Sequence, residues 1–288
     1  MAGMSEQQTG LAQQLHPLVR RVLAPNPSAF TYTGTQTYLV GHGEVAVIDP
    51  GPGESAHVEA ILAATRGETI THILCTHTHH DHSPASRPLK AATGAEIVGC
   101  APLALADDGP RSDAAFDAAY VPDRVVEDGE TLAGAGWTLR AVATPGHTSN
   151  HLCYALEETG GLFTGDHVMG WSTTVIAPPD GDMAAYMASL DKLMGRDDKV
   201  YYPAHGEPIE QPQRLVRGLI GHRKQREGQI LRLLDAGEDA IPKMVEKMYV
   251  GVDPRLHPAA GRSVLAHLID LEARGLVICA GDDWRKAA

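Results

Sequence analysis

The 288-residue sequence lacks three features that would assign it to common protein classes. No apolar run reaches about 18 residues, so no membrane-spanning helix is expected. Residues 1–14 are polar and have no basic patch followed by an apolar stretch, so we expect no secretory signal and a cytoplasmic location. The four cysteines are scattered without C-x-x-C spacing, which favours buried free thiols in a reducing compartment.

Positive charge is also scarce and unevenly distributed. The net charge of −12 argues against non-specific binding of nucleic acid or anionic membranes by the whole surface. Residues 1–209 contain 11 basic and 25 acidic side chains, a net of −14, whereas residues 210–288 contain 13 and 11, a net of +2. This change predicts one domain over residues 1–209 and a separate C-terminal module over residues 210–288.

The hydrophobic pattern of the first part predicts strands that alternate with helices, an α/β arrangement. Strands are predicted at 35–40, 45–48, 70–75, 96–99, 138–143, 152–156, 162–164 and 199–202. Helices are predicted at 55–65, 83–93 and 183–194, the second with Ser83 as its N-cap. Residues 15–30 are interpreted as a proline-punctuated approach segment, 107–110 as a loop and 125–132 as an irregular strand pair.

A dense group of imidazole and carboxylate side chains follows the predicted strand 70–75. The stretch reads Thr76-His77-Thr78-His79-His80-Asp81-His82. Side chains two residues apart in an extended loop point to the same side, so His77 and His79 can face one point while Asp81 and His82 turn toward another. Such nitrogen and oxygen ligands suit zinc and similar transition metals. A solvated His-rich loop is the alternative, but this stretch is internal and follows a hydrophobic strand.

Three later strand ends repeat this arrangement. His147, Asp166 and His205 each come within a few residues of a predicted strand, after small or turn residues. Ligands of α/β proteins collect in the crevice beyond strand ends. Each residue alone could be an ordinary strand-end polar group, but together with residues 76–82 they favour convergence on one metal site.

Seven of these residues form a series that resembles the motifs of the metallo-β-lactamase superfamily over roughly residues 30–210. They are His77, His79, Asp81, His82, His147, Asp166 and His205. The resemblance implies a four-layer αβ/βα sandwich with two sheets face to face and an active site at one edge. It implies a first metal held by His77, His79 and His147, a second held by Asp81, His82 and His205, and Asp166 bridging both. It further implies two Zn²⁺ per chain, with other divalent transition metals as alternatives, and a metal-bound hydroxide as nucleophile.

Further roles around the metals are expected from the resemblance and from positions next to its motifs. Asp81 and Asp166 are the expected catalytic residues, with Asp81 able to accept a proton from the nucleophile. Asp49, at the end of a predicted strand, is expected to contact a metal-binding imidazole on the side that faces away from the metal. His151 and His167 are candidates for substrate contact, although an ordinary polar role is the alternative, and His80 is expected to face away.

A narrower likeness points to the β-lactamase-like protein 2 group. It is carried by Asn26-Pro27, by residues 34–40, by residues 144–148 and by residues 222–231. That group is associated with endoribonuclease activity on single-stranded RNA, and the likeness would extend the match over nearly the whole chain.

The C-terminal module has its own pattern. Helices are predicted at 212–234, 242–248 and 258–274, followed by a small hairpin over 276–284. Three helices and a hairpin are typical of a winged-helix unit. Nucleic-acid contact through a basic face is one interpretation, and a packing cap or homodimer contact is the other. The candidate contacts are Arg214, Arg217, Arg223, Lys224 and Arg226.

The leading functional prediction is a dinuclear metal-dependent phosphodiesterase that cleaves single-stranded RNA. The net charge of −14 over residues 1–209 weakens it, because a polyanion is repelled unless metals and a basic lip compensate. A small-molecule thioesterase of the hydroxyacylglutathione hydrolase type is the main alternative, and promiscuous β-lactam hydrolysis is a third. A nucleic-acid-binding protein with a vestigial metal site represents a different class.

Overall fold

Two β-sheets packed face to face form the centre of the chain, whose computed structural model describes residues 7–103, 116–281 and 283–287. The first sheet contains, in spatial order, β1 (Ala12–His16), β2 (Val19–Leu23), β3 (Gln36–Val40), β4 (Glu44–Ile48), β5 (Thr69–Cys75), β6 (Glu96–Gly99) and β7 (Arg124–Val125). The second sheet contains β8 (Thr131–Gly134), β9 (Trp137–Ala143), β10 (Leu152–Leu156), β11 (Gly161–Gly165) and β12 (Val200–Pro203), also side by side in chain order. Strands β4 to β7 are parallel to one another, as are β11 and β12.

Alternation along the strands of the second sheet determines which residues face which layer. Phe163 and Tyr202 join the core between the sheets, where both rings pack against Tyr38 of β3. Their neighbours Leu162 and Tyr201 belong instead to a second core on the opposite face. This period of two is what a sheet buried on both faces requires.

Helices cover the outer face of each sheet. The first sheet carries α1 (Ser55–Ala64) and α2 (Ser86–Thr93), which bury Ile61 and Leu89. The second carries α3 (Met183–Met194) and the first half of α4 (Pro212–Asp235). The four-layer αβ/βα sandwich expected from the resemblance is therefore confirmed.

The C-terminal module has a separate hydrophobic core. It contains the second half of α4, α5 (Ile241–Met248), α6 (His257–Ala273) and the hairpin of β13 (Val277–Ala280) and β14 (Asp283–Lys286). Ile230, Met244, Leu268 and Trp284 pack together in this core. Three helices and a hairpin confirm the winged-helix expectation, and α4 is shared because Val216 and Leu219 pack on the second sheet.

Three local predictions are wrong. Residues 15–30 contain the end of β1 and the whole of β2, which buries Val19 and Val22 and pairs with β3. Ser83 is not a cap: α2 begins at Ser86, and the Ser83 hydroxyl donates to the Asp117 carboxylate (3.1 Å). The two strands near 125–132 do not pair with each other, since β7 and β8 belong to different sheets. The loop predicted at 107–110 lies outside the described residues.

Two further expectations concern buried free cysteines and the lack of a membrane-spanning helix. Cys75, Cys100 and Cys153 are buried and free, whereas Cys279 on β13 is free but exposed. Within the described residues, no helix is both long enough and apolar enough to cross a bilayer.

Candidate metal centre

The site lies where several strands end at one edge of the sandwich. Asp49 directly follows β4, the loop 76–82 follows β5, and Asp166 follows β11. His205 comes two residues after β12. Because neighbouring parallel strands present their carboxyl ends at the same edge, residues far apart along the chain meet there.

The first group of converging atoms consists of three imidazole nitrogens. His79 Nδ1 lies 3.0 Å from His77 Nε2 and 3.1 Å from His147 Nε2. Three nitrogens around one tetrahedral zinc would be about 3.3 Å apart, given zinc–nitrogen bonds of about 2.0–2.1 Å. All three rings are buried. The separations therefore match those of a metal-binding imidazole cluster.

The second group combines Asp81 with two imidazoles. Asp81 Oδ2 lies 3.2 Å from His205 Nε2 and 3.3 Å from His82 Nε2. The His82 and His205 side chains are fully buried, whereas Asp81 is partly exposed. This group forms the side of the centre that reaches solvent.

Asp166 lies between the two groups. Its Oδ2 is 3.6 Å from His147 Nε2, and its Oδ1 is 3.2 Å from His205 Nε2 and 3.6 Å from His82 Nε2. The two oxygens of one carboxylate thus face different groups. The structure brings together all seven side chains that the sequence singled out, divided as the resemblance implied.

Hydrogen bonds at Nδ1 fix three of the rings. His82 Nδ1 donates to Asp49 Oδ2 (3.0 Å), His147 Nδ1 to the Val175 carbonyl (2.7 Å) and His205 Nδ1 to the Gly34 carbonyl (3.2 Å). With Nδ1 engaged, Nε2 of each ring is left as the atom that faces the centre. Partners of this kind orient metal-ligating histidines in many proteins. Asp49 lies where the sequence predicted it.

The electrostatics of the two groups differ. Burial, together with the charge of His147, lowers the pKa of His79 to about 3, so this imidazole is neutral and able to bind a metal. Burial opposes ionisation of Asp166, but His205 and His82 hold its pKa well below the usual range. Burial likewise opposes protonation of His205, yet Asp166 and Asp81 raise its pKa to about 10.

Unpaired buried atoms test whether a cation fits. His82 Nε2 and Asp166 Oδ1 are buried without a hydrogen-bond partner of acceptable geometry in the described part of the chain. Buried polar atoms without partners are rare and require an explanation. A divalent cation between the groups would satisfy both atoms, and the donor set of imidazoles and carboxylates suits zinc.

His151 and His167, the two candidates for substrate contact, are buried inside the protein. The His151 ring stacks on His77 (ring centroids 5.1 Å apart), and its Nε2 accepts the Asp166 backbone N–H (3.3 Å). His167 is completely buried. Their burial leaves no accessible surface for a substrate, so the substrate-contact prediction fails for both. His80 is exposed, as expected.

The predicted basic face of α4 is divided by the packing. Arg214, Arg217 and Lys224 are exposed and, at spacings of three and seven residues, lie on one side of the helix. Arg223 is only 3% exposed; it donates to the Thr174 carbonyl and lies over the Tyr186 ring. Burial removes Arg223 from the exposed basic face of α4, which corrects that part of the prediction.

Arg226 is also engaged inside the protein. Its guanidinium stacks on the Tyr249 ring (4.4 Å) and donates to the Met248 carbonyl (2.7 Å). It is partly buried between α4 and α5. The prediction of an exposed nucleic-acid contact at Arg226 is therefore also corrected.

Several supporting residues were not found from the sequence. Thr76 donates to Asp49 through its backbone N–H (2.7 Å) and its hydroxyl (2.8 Å). Thr174 Oγ1 donates to the Asp166 carbonyl (2.7 Å). The position of Thr76 inside the His-rich loop was a usable signal. Thr174 and Val175 lie in an irregular segment whose sequence has no periodicity that would predict their contacts.

The sandwich and its edge site define a class of protein, a hydrolase whose His and Asp side chains are arranged to bind metal ions. The family model of the metallo-beta-lactamase superfamily matches residues 31–205, and that of the beta-lactamase associated winged helix domain matches residues 240–284. The chain belongs to the metallo-beta-lactamase superfamily.

Individual relatives extend over most of the chain. A beta-lactamase-like protein 2 homolog of Drosophila melanogaster is 34% identical over 271 residues, covering 89% of this chain and 88% of that protein. An atrochrysone carboxyl ACP thioesterase of Aspergillus fumigatus is 35% identical over 223 residues, covering 76% and 66% respectively. The crystal structure of a beta-lactamase domain protein from Burkholderia ambifaria superimposes with a TM-score of 0.82 at 21% identity, covering 99% of this chain and 96% of that one. That structural likeness supports the fold alone.

Proposed function

We propose that the protein is a dinuclear metal-dependent hydrolase that cleaves acyl thioesters. The observation that carries the metal-dependent part is Asp166, whose two oxygens face two different groups of potential ligands. One cation would be held by His77, His79 and His147. The other would be held by Asp81, His82 and His205, and Asp166 would contact both. When bound, two zinc ions would lower the pKa of a water between them and neutralise negative charge that develops on the substrate.

Asp81 is the proposed proton carrier. It is the most exposed of the seven side chains, and its Oδ2 lies 3.2–3.3 Å from the imidazole nitrogens of its group. A water that attacks the acyl carbon must lose a proton, and a carboxylate at the open side of the centre is placed to accept it. Cleavage of the C–S bond then releases a thiolate, which takes up a proton. The products are a carboxylic acid and a thiol.

The charge distribution supports a thioester over RNA. Residues 1–209 carry a net charge of −14, which repels a long polyanion such as RNA more strongly than a thioester with few phosphates. Arg223 and Arg226, two of the five basic residues considered for RNA, are engaged inside the protein. Fungal relatives at 32–35% identity are named ACP thioesterases.

Cleavage of single-stranded RNA is the second candidate, favoured by one specific observation. Arg214, Arg217 and Lys224 are exposed along one side of α4, next to a winged-helix domain. These cations would contact phosphates without reading sequence. Such binding would weaken steeply with salt.

A side-by-side assay tests the proposal. The full-length protein is incubated with an acyl-coenzyme A, a glutathione thioester, single-stranded RNA and nitrocefin, and release of thiol, RNA fragments or opened lactam is followed. We expect thioester cleavage to be the fastest and to disappear in Asp166→Ala. The control Asp198→Asn alters a buried carboxylate paired with Arg196 at the opposite end of β12, and should retain activity. Efficient RNA cleavage without thioester cleavage would overturn the proposal in favour of the second candidate.

A further inference from the structure

A small pocket lies where the C-terminal module meets the catalytic domain. Its volume is about 240 Å³, and its walls come from α4, α6, the segment 249–256 between α5 and α6, and segments 29–30 and 172–175. Its polar lining includes Thr173, Thr174, His222, Arg223 and Arg226. Pockets that enclose a whole drug-sized ligand usually exceed about 300 Å³, so this one suits only part of a ligand.

The pocket concentrates positive charge without a counter-charge. None of the described residues that line it is acidic, and no described carboxylate lies within 4.0 Å of the Arg223 or Arg226 guanidinium. The Nε atoms of both arginines are buried and have no hydrogen-bond partner in the described residues. Burial and these two guanidinium groups also lower the pKa of His222. Buried charge without a partner is costly, so an anionic occupant would be strongly stabilised.

One wall of the pocket also supports the metal centre. The Thr174 carbonyl accepts a hydrogen bond from Arg223, while the Thr174 hydroxyl donates to the Asp166 carbonyl (2.7 Å). The adjacent Val175 carbonyl accepts from His147 Nδ1 (2.7 Å). A group bound in the pocket therefore lies against the segment that positions two of the candidate metal ligands.

We propose that this pocket binds the phosphate of a phosphopantetheine thioester, an inference that rests on the proposed thioesterase function. Guanidinium groups recognise phosphate oxygens by charge-assisted hydrogen bonds. Coenzyme A carries acyl groups on a thiol arm that ends in phosphate, and acyl carrier proteins use the same arm. The small volume fits a phosphate and the start of such an arm. The carrier beyond the phosphate remains outside.

Calorimetric titration of the full-length protein separates phosphate recognition from catalysis. The probes are 4′-phosphopantetheine and pantetheine, which differ only in the phosphate. We expect the phosphorylated probe to bind at least tenfold more tightly. Arg226→Gln should remove most of this difference, and Arg226→Lys should restore part of it. Lys224→Gln, on the exposed face of the same helix, is the matched control and should change nothing.

A second variant protects the test against misfolding of Arg226→Gln. Thr173→Glu places a carboxylate on the opposite, loop side of the pocket, where the side chain is partly exposed. It should weaken 4′-phosphopantetheine binding at least tenfold and leave pantetheine binding unchanged. Equal binding of the two probes to the unaltered protein would overturn the inference, as would equal losses in Arg226→Gln and Lys224→Gln.

The KM values for acyl-coenzyme A, acyl carrier protein and acyl-pantetheine show which carrier of the phosphate is recognised. They also separate this inference from the proposed function. If KM is low for acyl-coenzyme A and acyl carrier protein but high for acyl-pantetheine, the phosphate is recognised in both carriers. A low KM for only one of the two identifies the source. Phosphate-dependent binding without thioester cleavage would refute the proposed function and leave the anion site. Thioester cleavage with the same KM for all three substrates would refute the phosphate pocket alone. Displacement of 4′-phosphopantetheine by stoichiometric single-stranded RNA would overturn phosphopantetheine as the ligand of the pocket in favour of RNA.

Discussion

The carboxylate of Asp49 contacts the side of the His82 imidazole that faces away from the metal centre. Its Oδ2 accepts a hydrogen bond from His82 Nδ1 (3.0 Å), and its Oδ1 accepts the Thr76 backbone N–H (2.7 Å). Asp49 adopts a positive φ of 48°, which is uncommon for a residue with a side chain. One carboxylate thus connects the end of β4, the start of the His-rich loop and one candidate ligand.

Replacing Asp49 should lower the affinity of the centre for metal ions. In Asp49→Ala, His82 loses the acceptor that orients its ring, and losses of this kind reduce metal affinity by about 10–100-fold. Competition with a chromogenic chelator measures the affinity for each metal equivalent. Because His82 belongs to only one of the two groups, one metal equivalent should show a larger change than the other. Asp198→Asn is the control, and equal affinities in both variants would contradict the role assigned to Asp49.

Gly165 should tolerate no side chain, because it directly precedes Asp166 in a crowded turn. It has a φ of +50°, and an added Cβ would lie 2.7 Å from His151 Nε2 and from Thr76 Oγ1. Gly67 also has a positive φ, +84°, but has open space around it. Gly67→Ala should therefore cost only the backbone strain of about 1–2 kcal/mol. Gly165→Ala should cost about 1–3 kcal/mol more from overpacking.

Urea unfolding of the metal-free proteins compares the two glycine variants, and metal titration follows. Gly165→Ala should also bind metal less tightly, since Asp166 must move with the shifted turn. Gly67→Ala should bind metal as the unaltered protein does. Equal destabilisation of both variants with unchanged metal binding would show that the close contacts around Gly165 impose no constraint.

His267 should make the fold sensitive to mild acid. Burial, with Arg223 and His222 nearby, lowers the pKa of this imidazole to about 3, whereas an unfolded histidine has a pKa of about 6.5. Between these values the unfolded chain binds the extra proton, so stability is complete above pH 6.5 and falls as the pH drops. The loss approaches about 1.4 kcal/mol per pH unit.

Replacement by leucine removes this contribution. Urea unfolding of metal-free protein at pH 8 gives the reference difference between His267→Leu and the unaltered chain, because His267 is neutral in both states there. From pH 6 to pH 5 the variant should lose about 1.2 kcal/mol less stability than the unaltered chain. Parallel pH profiles would show that His267 does not resist protonation in the folded state.

Much of the site could be predicted from sequence because its signals are local. His77, His79, Asp81 and His82 lie in one short loop after a strand with a clear apolar pattern. His147, Asp166 and His205 each follow strands that the same pattern identifies. The second strand, Val19–Leu23, was missed because prolines at 17 and 25 flank it, and its pairing with β3 is a long-range property.

The face of α4 that becomes buried was not predictable in the same way. Arg223 and Lys224 are adjacent and equally charged, yet one is buried and the other exposed. The difference arises because the irregular segment around Thr174 packs against α4 and supplies a carbonyl for Arg223. Helical periodicity alone does not encode that contact, since charged residues are assigned to the solvent face by default.

The central claim is that Asp166 joins two metal-binding groups into one centre. Metal analysis of the purified protein should find two divalent ions per chain, with thioester cleavage lost on chelation and restored by two equivalents of zinc. Asp166→Asn should retain the fold but bind no more than one ion and lose activity. A chain that binds a single ion and remains fully active, with Asp166→Asn indistinguishable from it, would contradict the account.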